Sequence, residues 1–368
     1  MIAGLLLLAL QQPAATRADL ARSYQRFDKA YASATLEPKR KHELNLAFDR
    51  ATMAFFLGQG SEVIDELDRL SEGLGALPFA PPPPEPARDW DGLRMELLDA
   101  LAPLSPKSEA LAQALATLRA RARLLQSQPS TTSSAQFLAD REHLAQELPQ
   151  ELALMHRGVD PYSRRVGELW RVVKLESKEL ALHLYAPPAA AKDEPLPLLI
   201  ALHGMGGDEN MFFEGYGAGR LRALAAQHGF LLACPRVDFT LSGSTIESLI
   251  RALGHDYAID EKRIYLLGHS MGSGVAGSIA ARAPERFAAL ACFAGGPGSD
   301  AQRLPPTWIC VGALDSIASP DSLEADAKAL AARGLPVRFE RVPDLGHTLV
   351  VSERLLAAVE FLLGQHRP

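Results

Sequence analysis

Gly268-His269-Ser270-Met271-Gly272 holds the residues best placed to do chemistry in this chain. A G-x-S-x-G stretch between a strand and a helix bends its serine into a tight corner and lifts the hydroxyl to the edge of a sheet. The spacing alone is weak, because at ordinary glycine and serine usage a chain this long matches it by chance about one time in ten. Its flanks strengthen it: the apolar run Arg263 to Leu267 precedes it, and the small-residue segment Ser273 to Ala281 follows. A serine hydroxyl is protonated at neutral pH and needs a base to become a nucleophile. His347, just past an apolar run and ahead of the last helical stretch, is the best candidate. His203, His228 and His255 precede the nucleophile, and His269 is its immediate neighbour and points elsewhere. The base needs a carboxylate on its other ring nitrogen. Asp315 follows the strand-like Thr307 to Val311 through Gly312-Ala313-Leu314; Asp321 and Asp326 lie beyond it, and Asp344 is a second choice.

The chemistry expected from such a set is acyl transfer, whose tetrahedral intermediate needs fixed N–H donors; losing one typically costs about 3 kcal/mol. The Met271 N–H, next after the serine at a helix start, is one expected donor. The other should come from His203-Gly204-Met205-Gly206-Gly207, after the apolar Leu198 to Leu202, with Met205 first and Gly206 as its alternative. Met205, Met211, Phe212, Phe213, Tyr216 and Met271 are candidates to line an apolar acyl pocket. Ordinary packing competes for Phe212 and Phe213. His203 and His269 complete the candidate substrate contacts.

These residues need a scaffold, and from about Val166 the chain alternates strand-like and helix-like segments. Leu169 to Leu175 and Leu180 to Tyr185 read as a hairpin, and Pro197 to Leu202 as a strand covered on both faces. Phe230 to Cys234, the run before Ser270, Phe287 to Phe293, Thr307 to Gly312 and Val337 to Val342 follow, separated by helical stretches that end with Ser352 to Leu363. That alternation predicts an α/β fold with a mostly parallel, doubly wound sheet, and places each candidate residue at the carboxyl end of a strand. Residues 19–156 read instead as helices, over 19–31, 39–57, 61–74, 89–101, 108–126 and 134–155, broken at Pro78, Pro81 to Pro84 and Gln128 to Ser134.

Residues 166–368 resemble an α/β-hydrolase of the esterase type, similar to polyhydroxybutyrate depolymerase-like and feruloyl or acetyl-xylan esterase-like proteins. The resemblance is carried by Leu202 to Glu209, Asp260 to Gly272, Gly312-Ala313-Leu314-Asp315 and Gly346-His347, in the chain order serine, aspartate, histidine. It implies ester hydrolysis through an acyl-enzyme on a small-molecule ester or an acylated polymer, without metal or organic cofactor. It does not reach the helical leader. The stretch between Phe293 and Thr307 is too short for a lid helix, so the leader is expected to supply part of the cover. A serine peptidase of the prolyl oligopeptidase type is the nearest alternative, although those enzymes usually carry a β-propeller where this chain is helical. An inactive binding or scaffold protein on the same fold is a further one.

Composition narrows the field. With 368 residues, 47% of them hydrophobic, there is enough chain for one catalytic domain and something smaller. A net charge of −6 and scattered arginines give no reason to expect nucleic acid. Cys234, Cys292 and Cys310 sit in apolar runs and read as core residues, and HExxH or CxxC spacings are absent. Ile2 to Leu10 is apolar, uncharged and too short for a stable membrane span; with the small residues up to Ala18 it resembles an export signal over 1–18, a buried first helix being the other reading. Periplasmic or secreted placement is therefore favoured. Oligomeric state is not legible.

Overall fold

The computed structural model describes residues 17–56, 59–77, 88–127, 133–175, 178–192, 194–238 and 240–367. Most of the segment read as an export signal and most of both proline-containing breaks lie outside them. Among the described residues eight strands form one sheet: β1 (Gly167–Lys174), β2 (Glu179–Ala186), β3 (Leu196–Leu202), β4 (Leu231–Pro235), β5 (Ile259–His269), β6 (Ala289–Phe293), β7 (Thr307–Gly312) and β8 (Val337–Val342). Their spatial order is β1-β2-β4-β3-β5-β6-β7-β8. The first two strands run antiparallel to their neighbours, and β3 to β8 pair in parallel. This is the α/β-hydrolase fold. Every residue of β3 is buried, as the unbroken apolar Leu196 to Leu202 requires of a strand with helices on both faces.

One face of the sheet is closed by α9 (Gly243–Asp256), α10 (Met271–Arg282) and α11 (Pro320–Ala332), the other by α8 (Arg220–His228) and α12 (Leu349–Leu363). Ahead of the sheet come α1 (Arg17–Ser33), α2 (Pro38–Phe56), α3 (Gly60–Glu72), α4 (Trp90–Leu101), α5 (Glu109–Arg123), α6 (Ala135–Leu138) and α7 (Arg141–His156). The single helix expected over 134–155 is two, because the Asp140 side chain caps a new helix start by accepting the His143 N–H at 3.0 Å.

The leader has two cores of its own. Trp90, Leu101, Leu118, Leu148 and Tyr162 pack together among α4, α5 and α7, and Leu169 of β1 joins them. There α5 also satisfies the sheet's outer edge: Gln113 exchanges two hydrogen bonds with the Lys174 backbone, at 2.6 and 2.8 Å, and Thr117 donates to the Val172 carbonyl at 2.9 Å. The second core, Phe27, Tyr31, Phe48, Val63 and Leu67 of α1–α3, takes in Leu349, the first residue of α12. Each such residue, fully buried, contributes about 1.5–3 kcal/mol, so α1–α3 are held against the carboxyl end of the sheet.

A buried carboxylate fixes the same contact. Asp28 of α1, 1% exposed, accepts the Ala218 N–H and, at 3.2 Å, the Ser352 hydroxyl. Burial pushes its pKa up to about 7. The folded chain therefore keeps a proton there that the unfolded chain has already lost, and the stability this provides in acid disappears as pH rises to about 7. Between about pH 4 and pH 8, wild type should lose up to about 4 kcal/mol relative to Asp28→Asn, measured by denaturant unfolding at both ends. A stability gap independent of pH would contradict this.

Candidate active site

Ser270 sits between β5 and α10 at φ 52° and ψ −118°, a left-handed conformation that costs a residue with a Cβ about 1–3 kcal/mol. The turn is held by the Ser270 N–H, which donates to the Phe293 carbonyl at 2.8 Å. Only glycine fits on either side. A Cβ on Gly268 would lie 2.5 Å from the Gly272 carbonyl oxygen, and one on Gly272 would lie 2.1 Å from the Leu202 carbonyl oxygen. The strained corner is thus the meeting point of β3, β5 and α10.

The structure brings the other two expected residues together. His347, 2% exposed, stands in the loop between β8 and α12, and its Nδ1 lies 2.8 and 3.0 Å from the two oxygens of Asp315, in the loop after β7. One Asp315 oxygen also accepts the Ile317 and Ala318 N–H groups, at 2.8 and 2.7 Å. The carboxylate accepts the Nδ1–H hydrogen bond, and the other ring nitrogen, Nε2, is left without that proton. Ser270 and His347 line one cavity of about 130 Å³. Asp344 faces away from this pair and meets His42 of α2 at 3.1 Å; Asp321 pairs with Arg341 at 2.7 Å.

Behind the histidine runs a chain of hydrogen bonds. The Gly204 N–H donates to the Tyr216 hydroxyl at 3.4 Å, that hydroxyl donates to Nδ1 of His269 at 2.7 Å, and Nε2–H of His269 donates to the His347 carbonyl at 3.1 Å. Burial above all, and then the neighbouring His347, holds the His269 pKa well below the usual histidine range, so His269 stays neutral and keeps this tautomer. Although it borders the cavity, its ring nitrogens are committed to structure.

Met205 and Gly206 are the central residues of a turn closed by the Gly207 N–H on the Gly204 carbonyl at 3.1 Å, with Gly206 at φ 79° as a type II turn demands. Both border the cavity, as do Met211 and Tyr216. Met271 opens α10, where a helix leaves its first amides without helical partners. Its side chain packs against the sheet core instead of lining the cavity.

Three expected substrate contacts lie elsewhere. His203 is buried, with Nδ1 donating to the Gly204 carbonyl and Nε2 accepting the Val237 N–H, each at 2.8 Å. Phe213 stacks on His183, and Phe212 packs edge-on against Tyr216; both are core residues. A π-helical turn, Met211–Gly215, aims the two rings inward.

The leader borders the cavity through residues that carry no local sequence signal. Leu20, Ala21 and Tyr24 of α1, Phe48, Ala51 and Thr52 of α2, and Val63 and Leu67 of α3 form a wall of the cavity, with Ser134 at its side. The leader's polar groups also grip two of the loops that carry the candidate machinery. Ser134 donates its N–H to Asp208 and accepts from the Asn210 amide, both at 2.8 Å, bracing the turn after β3. Asn45 and Asp49 of α2 accept the Gly346 and His347 N–H groups. Their one sequence signal is position: two polar residues four apart on a helix face otherwise built from Leu44, Ala47, Phe48 and Ala51.

Among the described residues no cluster of His, Cys, Asp and Glu is arranged to hold a metal, and no helix is long and apolar enough to cross a membrane. The three cysteines are unpaired and buried.

No protein-family model matches the chain. A curated bifunctional acetylxylan esterase/xylanase, XynS20E of Neocallimastix patriciarum, is 30% identical over 168 residues, which is 40% of this chain and 23% of that protein. The match therefore spans about a quarter of its curated relative. Among solved structures, a thermostable esterase is similar at TM-score 0.47 and 23% identity, over 54% of this chain and 63% of that one. An S-formylglutathione hydrolase from Agrobacterium tumefaciens is similar at 0.47 and 19%, over 55% and 96%. Est1E from Butyrivibrio proteoclasticus is similar at 0.43 and 15%, over 54% and 98%.

Because backbone closes in on both glycines of the Ser270 corner, Gly272→Ala should destabilise the protein by about 3 kcal/mol. Chemical denaturation measures it. A variant as stable as wild type would show that α10 can move away from β3.

Proposed function

We propose that the protein is a serine hydrolase that cleaves a carboxylic ester bearing a small apolar acyl group. The observation that carries the reading is the shared cavity. It brings Ser270, bent into a strained corner, and His347, already paired with buried Asp315, to one apolar space. In this reading Nε2 of His347 takes the Ser270 proton as Oγ attacks the ester carbonyl. The resulting oxyanion is received by the Met271 N–H and by Met205 or Gly206. The imidazolium then protonates the leaving alcohol, and water repeats the cycle on the acyl-enzyme.

The cavity sets the size of the acyl group. At about 130 Å³ it falls slightly short of an engineered apolar cavity of about 150 Å³ that holds benzene. It suits chains up to roughly six carbons. The curated relative is named an acetylxylan esterase; an acetyl group would leave much of this space empty. Nothing in the described residues favours a peptide over an ester.

Fluorophosphonate labelling read by intact mass should give one adduct on wild type and none on Ser270→Ala, whose ester turnover should drop about 10⁵-fold or more. Labelling of the alanine variant would place the nucleophile elsewhere. Acyl size has its own test. Ala21→Trp, on a half-buried position of the α1 wall, should weaken hydrolysis of hexanoyl esters by about tenfold more than that of acetyl esters of the same alcohol. Equal loss on both would remove α1 from the acyl site.

A further inference from the structure

Asp49 belongs to α2, and the residue whose backbone it holds is 298 positions away in the chain. It is 2% exposed. Both its oxygens accept the His347 N–H, at 3.0 and 2.9 Å. One turn earlier on the same helix, Asn45 accepts the Gly346 N–H at 2.8 Å. Glycine at 346 makes room for this approach, since a Cβ there would stand 2.6 Å from the Asp49 carboxylate and push it aside. On the far side of the same residue, the His347 carbonyl accepts from His269. Both polar groups of the His347 backbone are therefore fixed, one by the leader and one by the sheet, while Asp315 fixes the ring.

We infer that Asp49 is a positioning residue for His347: it sets the backbone from which the basic nitrogen is aimed, and its negative charge favours the imidazolium formed when Ser270 attacks. The inference rests on the reading of His347 as the base. A helix cap alone would not require this arrangement. A serine, asparagine or aspartate next to the helix start satisfies the first amides of α12 at little cost, whereas a carboxylate from another helix has to be desolvated. That cost is visible. Burial, and more weakly the charge of Asp315, push the Asp49 pKa up to about 6, against the hydrogen bonds of the His347 and Thr348 N–H groups and the charge of His347.

Asp49 faces His347 and Asp315 across the loop, with His269 behind His347. The His42–Asp344 pair stands beside it at the rim, and Lys41 of the same helix pairs with Glu353 of α12. Of these, Asp49 gains a proton as pH falls through about 6. Protonation of Asp49 slackens the hold on the His347 N–H and withdraws the charge that favours the imidazolium.

Asp49→Asn keeps the shape and one acceptor oxygen while removing the charge. Rates on a butyryl ester from about pH 5 to about pH 8, normalised to the fraction labelled by fluorophosphonate, exclude misfolded protein from the comparison. The expected result is a kcat about tenfold lower with KM within about twofold of wild type, and an acid limb of kcat/KM moved to lower pH by about half a unit. A wild-type kcat, or a lowered kcat with an unmoved acid limb, would reduce Asp49 to a structural cap. If the variant does not fold, the wild-type limb decides: a slope of more than one proton supports coupled titration, and a one-proton slope overturns it. His347→Asn is the control for the underlying reading. Should it retain activity, the assignment of the base fails, whatever Asp49 does.

Discussion

A histidine serves as a base only when its tautomer is fixed and its ring is aimed, and a loop between a strand and a helix does neither by itself. In this chain the loop carrying His347 is restrained on three sides. Asp315 holds Nδ1, His269 holds the carbonyl, and Asp49 holds the amide. Two of the three restraints come from the sheet and the third from a helix far ahead of it in sequence. The cavity, the direction of Nε2 and the docking of α1–α3 all depend on that loop staying where it is.

The same dependence explains why so many polar groups are buried where the leader meets the sheet. Asp28, Asn45, Asp49 and Ser134 each face backbone or side chains of a loop at the carboxyl end of the sheet. Apolar packing alone, through Leu349 and the ring cluster of Phe27, Tyr31 and Phe48, would hold the bundle there with latitude in its register. Directional hydrogen bonds to N–H groups remove that latitude, at the cost of desolvating carboxylates whose pKa values rise as a result. The short connection between β6 and β7 leaves no room for a lid, and α1–α3 occupy the space that a lid would cover.

The sheet and the Ser270 corner were legible in the sequence because their signals are local. An unbroken apolar run such as Leu196 to Leu202 can hardly be anything but a covered strand, and G-x-S-x-G after such a run fits few other turns. Asp315 and His347 could be picked out by where they stand relative to strands. The inward aim of Phe212 and Phe213 was not legible, since it follows from a π-helical turn that has no distinctive composition. His203 looked like a site residue because it opens a glycine-rich loop, yet both its ring nitrogens serve that loop's backbone. Asp49 was invisible for a different reason. Its partner lies 298 residues away, and nothing in the local pattern of α2 says which surface that helix will meet.

The proposed chemistry requires one space walled by both the leader and the sheet. The most direct measurement is a crystal structure of the protein after reaction with a hexyl fluorophosphonate. Phosphorus is expected on Ser270 Oγ, with its oxygen within hydrogen-bond reach of the Met271 N–H and of Met205 or Gly206, and the alkyl chain lying against Ala21, Phe48 and Val63. An adduct whose chain runs out to solvent, or one formed with α1–α3 lifted away from the His347 loop, would contradict it.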